Sequence, residues 1–350
     1  MSVVLQQSPA RAADDAGSPP NGQAPSSYHL AVMPEQTLDA LQPRAGGVYL
    51  DATLGGGGHT RLILDASAPD GLLIATDRDP EAIANAAPLQ QQFGERLRIH
   101  HTPFSQLQSA LDAEGVTAVD GVLMDLGVSS RQLDAAERGF SFRQDGPLDM
   151  RMNSAGDEPS AADLVNEESA EALANIFYKY GEERHSRRIA RAIVAARAEQ
   201  PFTTTLQLAG IIAANCPGGH KQKIHPATRC FQALRIAVND ELGEVERGLA
   251  AAMARLAPGG RLAVITFHSL EDRIVKQTFR QAAFPADPDP RSPLPTRSEP
   301  SDWLLPVRKP LTAEAEEIAR NPRARSAKLR VLQRRPAESG QEPRMKERRS

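Results

Sequence analysis

Gly47-Val-Tyr-Leu-Asp51-Ala-Thr-Leu-Gly55-Gly-Gly-Gly58-His59 decides the reading of this chain, because an apolar run, an aspartate and four glycines precede a helical pattern beginning at Thr60. Glycines in such a loop let the backbone take up positive φ and approach a ligand closely. The following helix start offers unpaired N–H groups. A phosphate-gripping loop needs Lys-Ser/Thr after the last glycine, and His59-Thr60 fails that test. The dinucleotide pattern G-x-G-x-x-G fails as well: begun at Gly55 it needs glycine at Thr60, and begun at Gly56 it needs glycine at Arg61.

What remains is an acid at a strand end followed by a glycine loop, an arrangement that S-adenosylmethionine enzymes commonly use. Its ligand has no pyrophosphate, so no lysine is required. A second acid on the next strand should hold the ribose hydroxyls, and Asp77 falls 19 residues after Gly58, near the roughly 20 expected. Asp125 ends a further strand at the same edge, where it either faces the ligand or caps a helix.

Outward from the loop, Gly71–Asp77, Leu97–His100 and Val119–Asp125 read as buried strands. Thr60–Ala66, Asp79–Phe93 and Phe104–Glu114 read as the helices between them. The β-α-β-α order predicts a parallel sheet covered on both faces, with ligands at the carboxyl ends of its strands. After Asp125 the pattern turns helical: Ser169–Tyr180 stopped by Gly181, Glu182–Glu199, and Thr204–Asn215 stopped by Pro217-Gly-Gly. One amphipathic stretch over Ala227–Leu256, a Pro258-Gly-Gly260 turn, and strands at Arg261–Phe267 and Ala327–Leu332 follow.

The expected organisation is an α/β domain over 28-130 and 228-335, interrupted by a helical insertion at 131-227. The polar ends, 1-27 and 336-350, carry no apolar period and are expected to be disordered. The segment 284-310 has eight prolines and the only tryptophan, Trp303, and reads as loop.

No apolar run among the 350 residues approaches the length of a bilayer span, and the start lacks the basic and apolar regions of a secretory signal, so no membrane partner and a cytoplasmic location are expected. Two cysteines, Cys216 and Cys230, argue against a disulfide framework. The eight histidines show no metal-ligand spacing, so no metal site is expected. The net charge of -3 hides an asymmetry: the last 30 residues hold ten Lys/Arg and three Glu, leaving the rest acidic. Such asymmetry suits either a polyanionic partner or a solvated tail.

Further motifs carry a resemblance. Tyr28–Met33, Asp51–His59, Asp77-Arg-Asp-Pro80, Asp125-Leu-Gly-Val-Ser-Ser130, Glu137–Phe142 running on to Asp145–Met152, Tyr180-Gly-Glu-Glu-Arg184, His225-Pro-Ala-Thr-Arg229, Phe267-His-Ser-Leu-Glu-Asp-Arg273 and Asn321-Pro-Arg-Ala-Arg-Ser326 occur in order. Together they resemble the bacterial small-subunit ribosomal RNA methyltransferase H (MraW-type) family, over about His29 to Leu332. The resemblance implies a class I, Rossmann-like methyltransferase sheet and S-adenosyl-L-methionine as methyl donor. The implied reaction is methylation of the N4 amine of a cytosine in the decoding region of 16S rRNA. The implied partner is that RNA in the assembled small ribosomal subunit, and a homodimer is compatible with it.

Carried over by position, the resemblance implies donor contacts from Gly57, Gly58 and His59, ribose contacts from Asp77, packing of Phe104 near the adenine, and Asp125 and Gln132 completing the pocket. The loop here reads Asp-Ala-Thr-Leu where the family usually has Asp-Gly-Thr-Phe, and Arg131 stands where it usually has Pro.

An exocyclic cytosine amine has its lone pair delocalised into the ring, so an acceptor for its N–H is needed. The Asp/Asn-Pro-Pro-aromatic motif of many amino methyltransferases is absent, leaving Asp125, the Ser129/Ser130 hydroxyls and His268 as candidates. For RNA, Lys179, Arg184, Arg187, Arg188, Arg191, Arg197, His220, Lys221, Lys223 and Arg229 offer phosphate contacts. Phe140 and Phe142 either stack bases or anchor the insertion. Competing readings are a methyltransferase of DNA or protein, a non-catalytic RNA-binding assembly factor, and a nicotinamide oxidoreductase weakened by the failed glycine spacing.

Overall fold

Strands buried on both faces need apolar residues at consecutive positions, and the five central strands have them. In the computed structural model, which describes residues 31–217, 225–285 and 301–337, they alternate between two cores. Leu50, Ile74, Val122, Met124, Leu262 and Val264 face one core, and Tyr49, Leu73, Ala75, Leu123, Ala263 and Ile265 face the other.

In chain order the elements begin with α1 (Pro34–Leu41), β1 (Val48–Asp51), α2 (Gly58–Ala66), β2 (Leu72–Asp77), α3 (Pro80–Asn85), α4 (Ala87–Phe93), β3 (Leu97–His101), α5 (Leu107–Ala113) and β4 (Val119–Asp125). A helical segment follows: α6 (Ser130–Asp134), α7 (Ala161–Glu167), α8 (Ala170–Gly181), α9 (Ser186–Glu199), α10 (Thr205–Asn215), α11 (Ala227–Asn239) and α12 (Glu241–Arg255). The chain then returns to the sheet with β5 (Leu256–Thr266), α13 (Ser269–Ala283), β6 (Trp303–Leu304), β7 (Leu311–Thr312), α14 (Ala315–Arg320) and β8 (Lys328–Arg334).

The sheet order is β3-β2-β1-β4-β5-β8-β6, with β7 also on β8. Strands β1 to β5 are parallel and β8 runs antiparallel to β5. This is the class I α/β architecture expected. The order reverses between β1 and β4, which opens a crevice at their carboxyl ends.

Several boundaries differ from expectation for local reasons. The helix expected over Asp79–Phe93 is two, α3 and α4, because Pro88 in the first turn of α4 has no N–H to continue the preceding helix. The stretch Ala227–Leu256 is broken at Asp240, which takes φ 46 between α11 and α12. Gly181 is the last residue of α8, and Glu182 supplies the left-handed cap at φ 50, so α9 starts only at Ser186. Pro258-Gly-Gly260 lies inside β5, where the pairing with β4 shifts register between Val119 and Gly121. Trp303 pairs with Arg334 in β6 rather than lying in a loop.

Helices α7 to α11 build their own core around Leu173, Phe177, Ile189, Ile193, Leu208 and Phe231, whereas α12 packs on the sheet through Val245 and Leu249. That core continues through Leu234, so α11 packs with the helices rather than with the sheet, past the expected limit at residue 227. Phe140 is buried in it, and Phe142 meets Phe231 edge-on at 4.7 Å. Phe140 therefore anchors the helical core, and Phe142, half-buried, packs on its edge against Phe231 and His225.

Two buried polar joints tie this core to the sheet. Arg138 Nη1 donates to Asp79 Oδ2 at 2.9 Å, and its Nη2 donates to the carbonyls of Arg151 and Met152. Asn239 Oδ1 accepts from the Met152 N–H at 2.8 Å, while Arg78 Nη1 donates to the Asn239 carbonyl. The expected ends 1-27 and residues 338–350, the 28–30 part of the first motif, most of the proline-rich segment, and His220, Lys221 and Lys223 lie outside the described residues.

Candidate active site at the carboxyl edge of the sheet

The glycine loop is held from below by Asp51, which is fully buried. Its Oδ2 accepts from Thr60 Oγ1 at 2.7 Å and its Oδ1 from the Thr53 N–H at 3.1 Å. Thr53 Oγ1 in turn accepts the Asp125 N–H at 2.7 Å. Asp51 is thus spent on shaping the loop and does not line the crevice, which the sequence could not distinguish from a ligand contact.

Asp77 works from the next strand. Its Oδ2 accepts from the Gly55 N–H and its Oδ1 from the Asp79 N–H, each at 2.8 Å. Burial pushes its pKa up to about 6 against these two hydrogen bonds, with the nearby Asp79 and Asp51 charges adding to the rise. Each carboxylate oxygen keeps lone-pair capacity for a further donor.

Gly57 caps α2 with φ 74, and a Cβ there would come within 2.1 Å of Leu89 Cδ1. It serves close packing and does not itself line the crevice. Gly55, Gly56, Gly58, His59, Asp77, Phe104, Asp125 and Gln132 do line it, around a cavity of about 320 Å³. That is enough for a small organic ligand. Phe104 is half-buried and packs so closely on Gly248 that a Cβ there would lie 2.5 Å from Cδ2 of the ring.

Gln132 is set by a capping box: its Oε1 accepts the Ser129 N–H at 2.9 Å, and its N–H donates to Ser129 Oγ. Its Nε2 donates to Asp79 Oδ2 at 2.7 Å. The Arg131 substitution leaves this intact, and Arg131 Nε instead donates to Glu81 Oε2 at 2.7 Å. The cap of α6 is Ser129, so Asp125 is released from the capping role and points into the crevice.

Asp125 is the least satisfied group of the site. Its Oδ1 is buried with no hydrogen-bond partner among the described residues, and its Oδ2 lies 3.6 Å from His59 Nε2. Burial raises its pKa well above the ordinary carboxylate value, and the charges of Asp51 and Glu271 raise it further.

His268 does not line the crevice. It caps α13, with Nδ1 accepting the Glu271 N–H and Nε2 3.1 Å from Glu271 Oε1. Burial alone would raise the Glu271 pKa, but the hydrogen bond and charge of His268, with Arg235 and the Phe267 N–H, hold it below the ordinary value. Met152 and Phe267, each at the edge of a quoted motif, and Arg235, to which no sequence motif points, also line the crevice. Arg235 lies in a plain amphipathic stretch, and only folding brings it to the site.

Sequence spacing shows no metal motif, yet folding brings together Glu241, His268 and Glu271, and separately Glu183, His185 and Cys216. Arg235 already engages both oxygens of Glu241. Among the basic residues, Lys179, Arg184, Arg187, Arg188, Arg191 and Arg229 are exposed. Arg197 instead donates to the carbonyls of Val165 and Glu168 and so ties helices together.

The sequence profile of the MraW methylase family matches residues 26–335. The chain is 54% identical over 311 residues to the ribosomal RNA small subunit methyltransferase H of Magnetococcus marinus, covering 88% of this chain and 99% of the relative. It is 55% identical over 307 residues to the protein of the same name from Gluconobacter oxydans, covering 87% and 93%. A putative rRNA-methylase structure from Clostridium thermocellum aligns over 87% of this chain and 98% of its own, at TM-score 0.41 and 12% identity. No helix among the described residues is long and apolar enough to cross a membrane. With a family match spanning most of its length, the chain belongs to the MraW methylase family.

Proposed function

We propose that the chain transfers a methyl group from S-adenosylmethionine to the N4 amine of a cytosine in the decoding region of 16S rRNA, in the assembled small ribosomal subunit of the cytoplasm. The observation that carries this reading is the Asp125 carboxylate, whose side chain is 24% exposed, lining the same crevice as the glycine loop, Asp77 and Phe104.

The residues fit the donor. Asp77 can accept from a neutral diol without a counter-charge, Phe104 offers an aromatic face, and a carboxylate-rich, desolvated crevice favours a positively charged sulfonium. When bound, the donor supplies a methyl carbon made electrophilic by its positive sulfur.

The chain's own task is mainly alignment and exclusion of water. Asp77 and the backbone of Gly55, Gly56 and Gly58 would hold the donor. The Asp125 carboxylate would accept the amine N–H, which localises the nitrogen lone pair, and would take the proton as the N–C bond forms and the S–C bond breaks, leaving the donor as the neutral thioether. Burial and the nearby carboxylates raise its pKa, which makes it a stronger proton acceptor than an ordinary carboxylate. The exposed arginines of α9, Arg187, Arg188 and Arg191, support RNA as the acceptor.

The test is a competition: labelled donor is offered with unmodified small subunits, naked 16S rRNA, DNA and ribosomal protein. Label in RNA of the assembled subunit supports the proposal. Label in DNA or protein, or none despite donor binding, overturns it.

A further inference from the structure

The crevice is polar along the sheet. The glycine loop, Asp77 and Phe104 follow β1, β2 and β3, on one side of the switch between β1 and β4. Asp125 and Ser129 follow β4 and Phe267 follows β5, on the other side. A donor held on the first side leaves the acceptor to the second. There one cationic side chain enters from the helical core: Arg235 of α11.

Arg235 is rigidly mounted. Its Nε donates to Glu241 Oε1 and its Nη2 to Glu241 Oε2, both at 2.7 Å, and Glu241 is itself buried. Asn239, part of the joint to the sheet, donates back to the Arg235 carbonyl at 2.9 Å. The Glu241 pair occupies one edge of the guanidinium. No bond among the described residues engages Nη1, so the end of the guanidinium keeps two parallel N–H donors in a planar fork, one on Nη1 and the second N–H of Nη2.

Cytosine presents two adjacent acceptors, O2 and N3, beside the N4 amine. Uracil carries a hydrogen on N3, which would meet a donor head-on. A fixed fork of two donors therefore distinguishes the bases and sets the amine towards the Asp125 carboxylate, which lines the same crevice. A lysine, with a single rotatable donor centre, could not hold the base plane in this way.

We infer that Arg235 forms the acceptor-base subsite, donating from its free guanidinium edge to O2 and N3 of the target cytosine, a role that rests on the methyl-transfer reading above. Arg235 is then a specificity-determining residue, with Glu241 as the positioning residue that aims it.

The experiment compares wild type, R235M and R235K in methyl transfer to small subunits reconstituted with cytidine or 3-deazacytidine at the acceptor position. The second base lacks the N3 acceptor. Donor affinity is measured on the same proteins by calorimetry. Losing a bidentate contact should lower kcat/KM for cytidine subunits about 10- to 100-fold in R235M, with R235K intermediate. Donor affinity should stay within about threefold, since its contacts lie across the crevice.

Wild type should lose activity on 3-deazacytidine, whereas R235M should treat both bases alike, a coupling that a purely structural role would not produce. Because R235M strands buried Glu241, the comparison is repeated in R235M/E241Q, and the coupling is read from whichever variant melts as a folded protein. Wild-type transfer to cytosine with an undiminished 3-deaza penalty in the arginine variants would overturn the subsite and leave the methyl-transfer reading standing. Absence of wild-type transfer would overturn both.

Discussion

The Asp77 carboxylate at the end of β2 accepts the N–H of Gly55 at 2.8 Å, joining the loop after β1 to the strand beside it. One side chain thereby both offers itself to the ligand and fixes the backbone that meets the rest of it.

Asp77→Ala should therefore weaken donor binding by at least about 100-fold, more than one lost hydrogen bond would explain, because the loop loosens as well. With the pKa of Asp77 pushed up to about 6, wild-type affinity for S-adenosylmethionine and S-adenosylhomocysteine should fall together as pH drops below that value. A protonated carboxyl gives up acceptor capacity towards the ribose. Calorimetry between pH 5 and 8 checks both; an affinity flat across about pH 6 would remove Asp77 from the diol.

Asp125→Asn should separate stability from function. The folded-state pKa of Asp125 lies above its unfolded value, so its contribution to stability is full below about pH 4 and is lost as pH rises towards the folded pKa. The asparagine protein should thus melt several degrees higher than wild type at neutral pH and gain little in acid. Binding of the cationic sulfonium should weaken about tenfold, while that of the neutral thioether product should barely change. Equal losses for both ligands would count against a charge facing the sulfur.

Gly57→Ala and Gly94→Ala differ in a way that tests the loop. Both glycines have positive φ, but only at Gly57 does a Cβ meet another residue, Leu89 Cδ1 at 2.1 Å. Alanine at position 94, where φ 55 and ψ -127 lie outside the left-handed helical region, should cost about 1–3 kcal/mol from backbone strain alone and leave donor binding unchanged. Alanine at position 57 should cost about 1 kcal/mol from its left-handed backbone and about 1–3 kcal/mol more from the clash, and should displace the donor loop. Urea denaturation with donor titration distinguishes them.

Much of this arrangement is legible in the sequence because it is local. Asp51, the glycines and Asp77 lie at strand ends set by short apolar runs, and the failed phosphate-loop spacings by themselves narrow the ligand class. The roles within the constellation are less legible. Asp51 and Asp77 share the same context, and only the Thr53 and Thr60 contacts show that Asp51 is taken up wholly inside the loop while Asp77 also lines the crevice. Arg235 and the inward turn of Phe140 depend on how α11 and the helical core dock. Arg138, which the sequence places beside Phe140 like any surface arginine, is buried against Asp79 by the same docking.

Arg187→Ala with Arg188→Ala should weaken RNA binding and reduce the slope of log affinity against log salt by roughly 1–2, if each exposed guanidinium neutralises one phosphate. Donor affinity should not change. Filter binding across a salt series, alongside calorimetry, reads both; coupled loss would mean that the helical segment and the donor crevice are not separable.

The central claim concerns one atom of one base, and its most direct test is the identity of the methylated nucleoside. After labelled transfer to unmodified small subunits, the RNA is digested and the labelled nucleoside identified by mass spectrometry. N4-methylcytidine from a single decoding-region position is the predicted result. Label on a ring carbon, a ribose oxygen or another base would contradict the account.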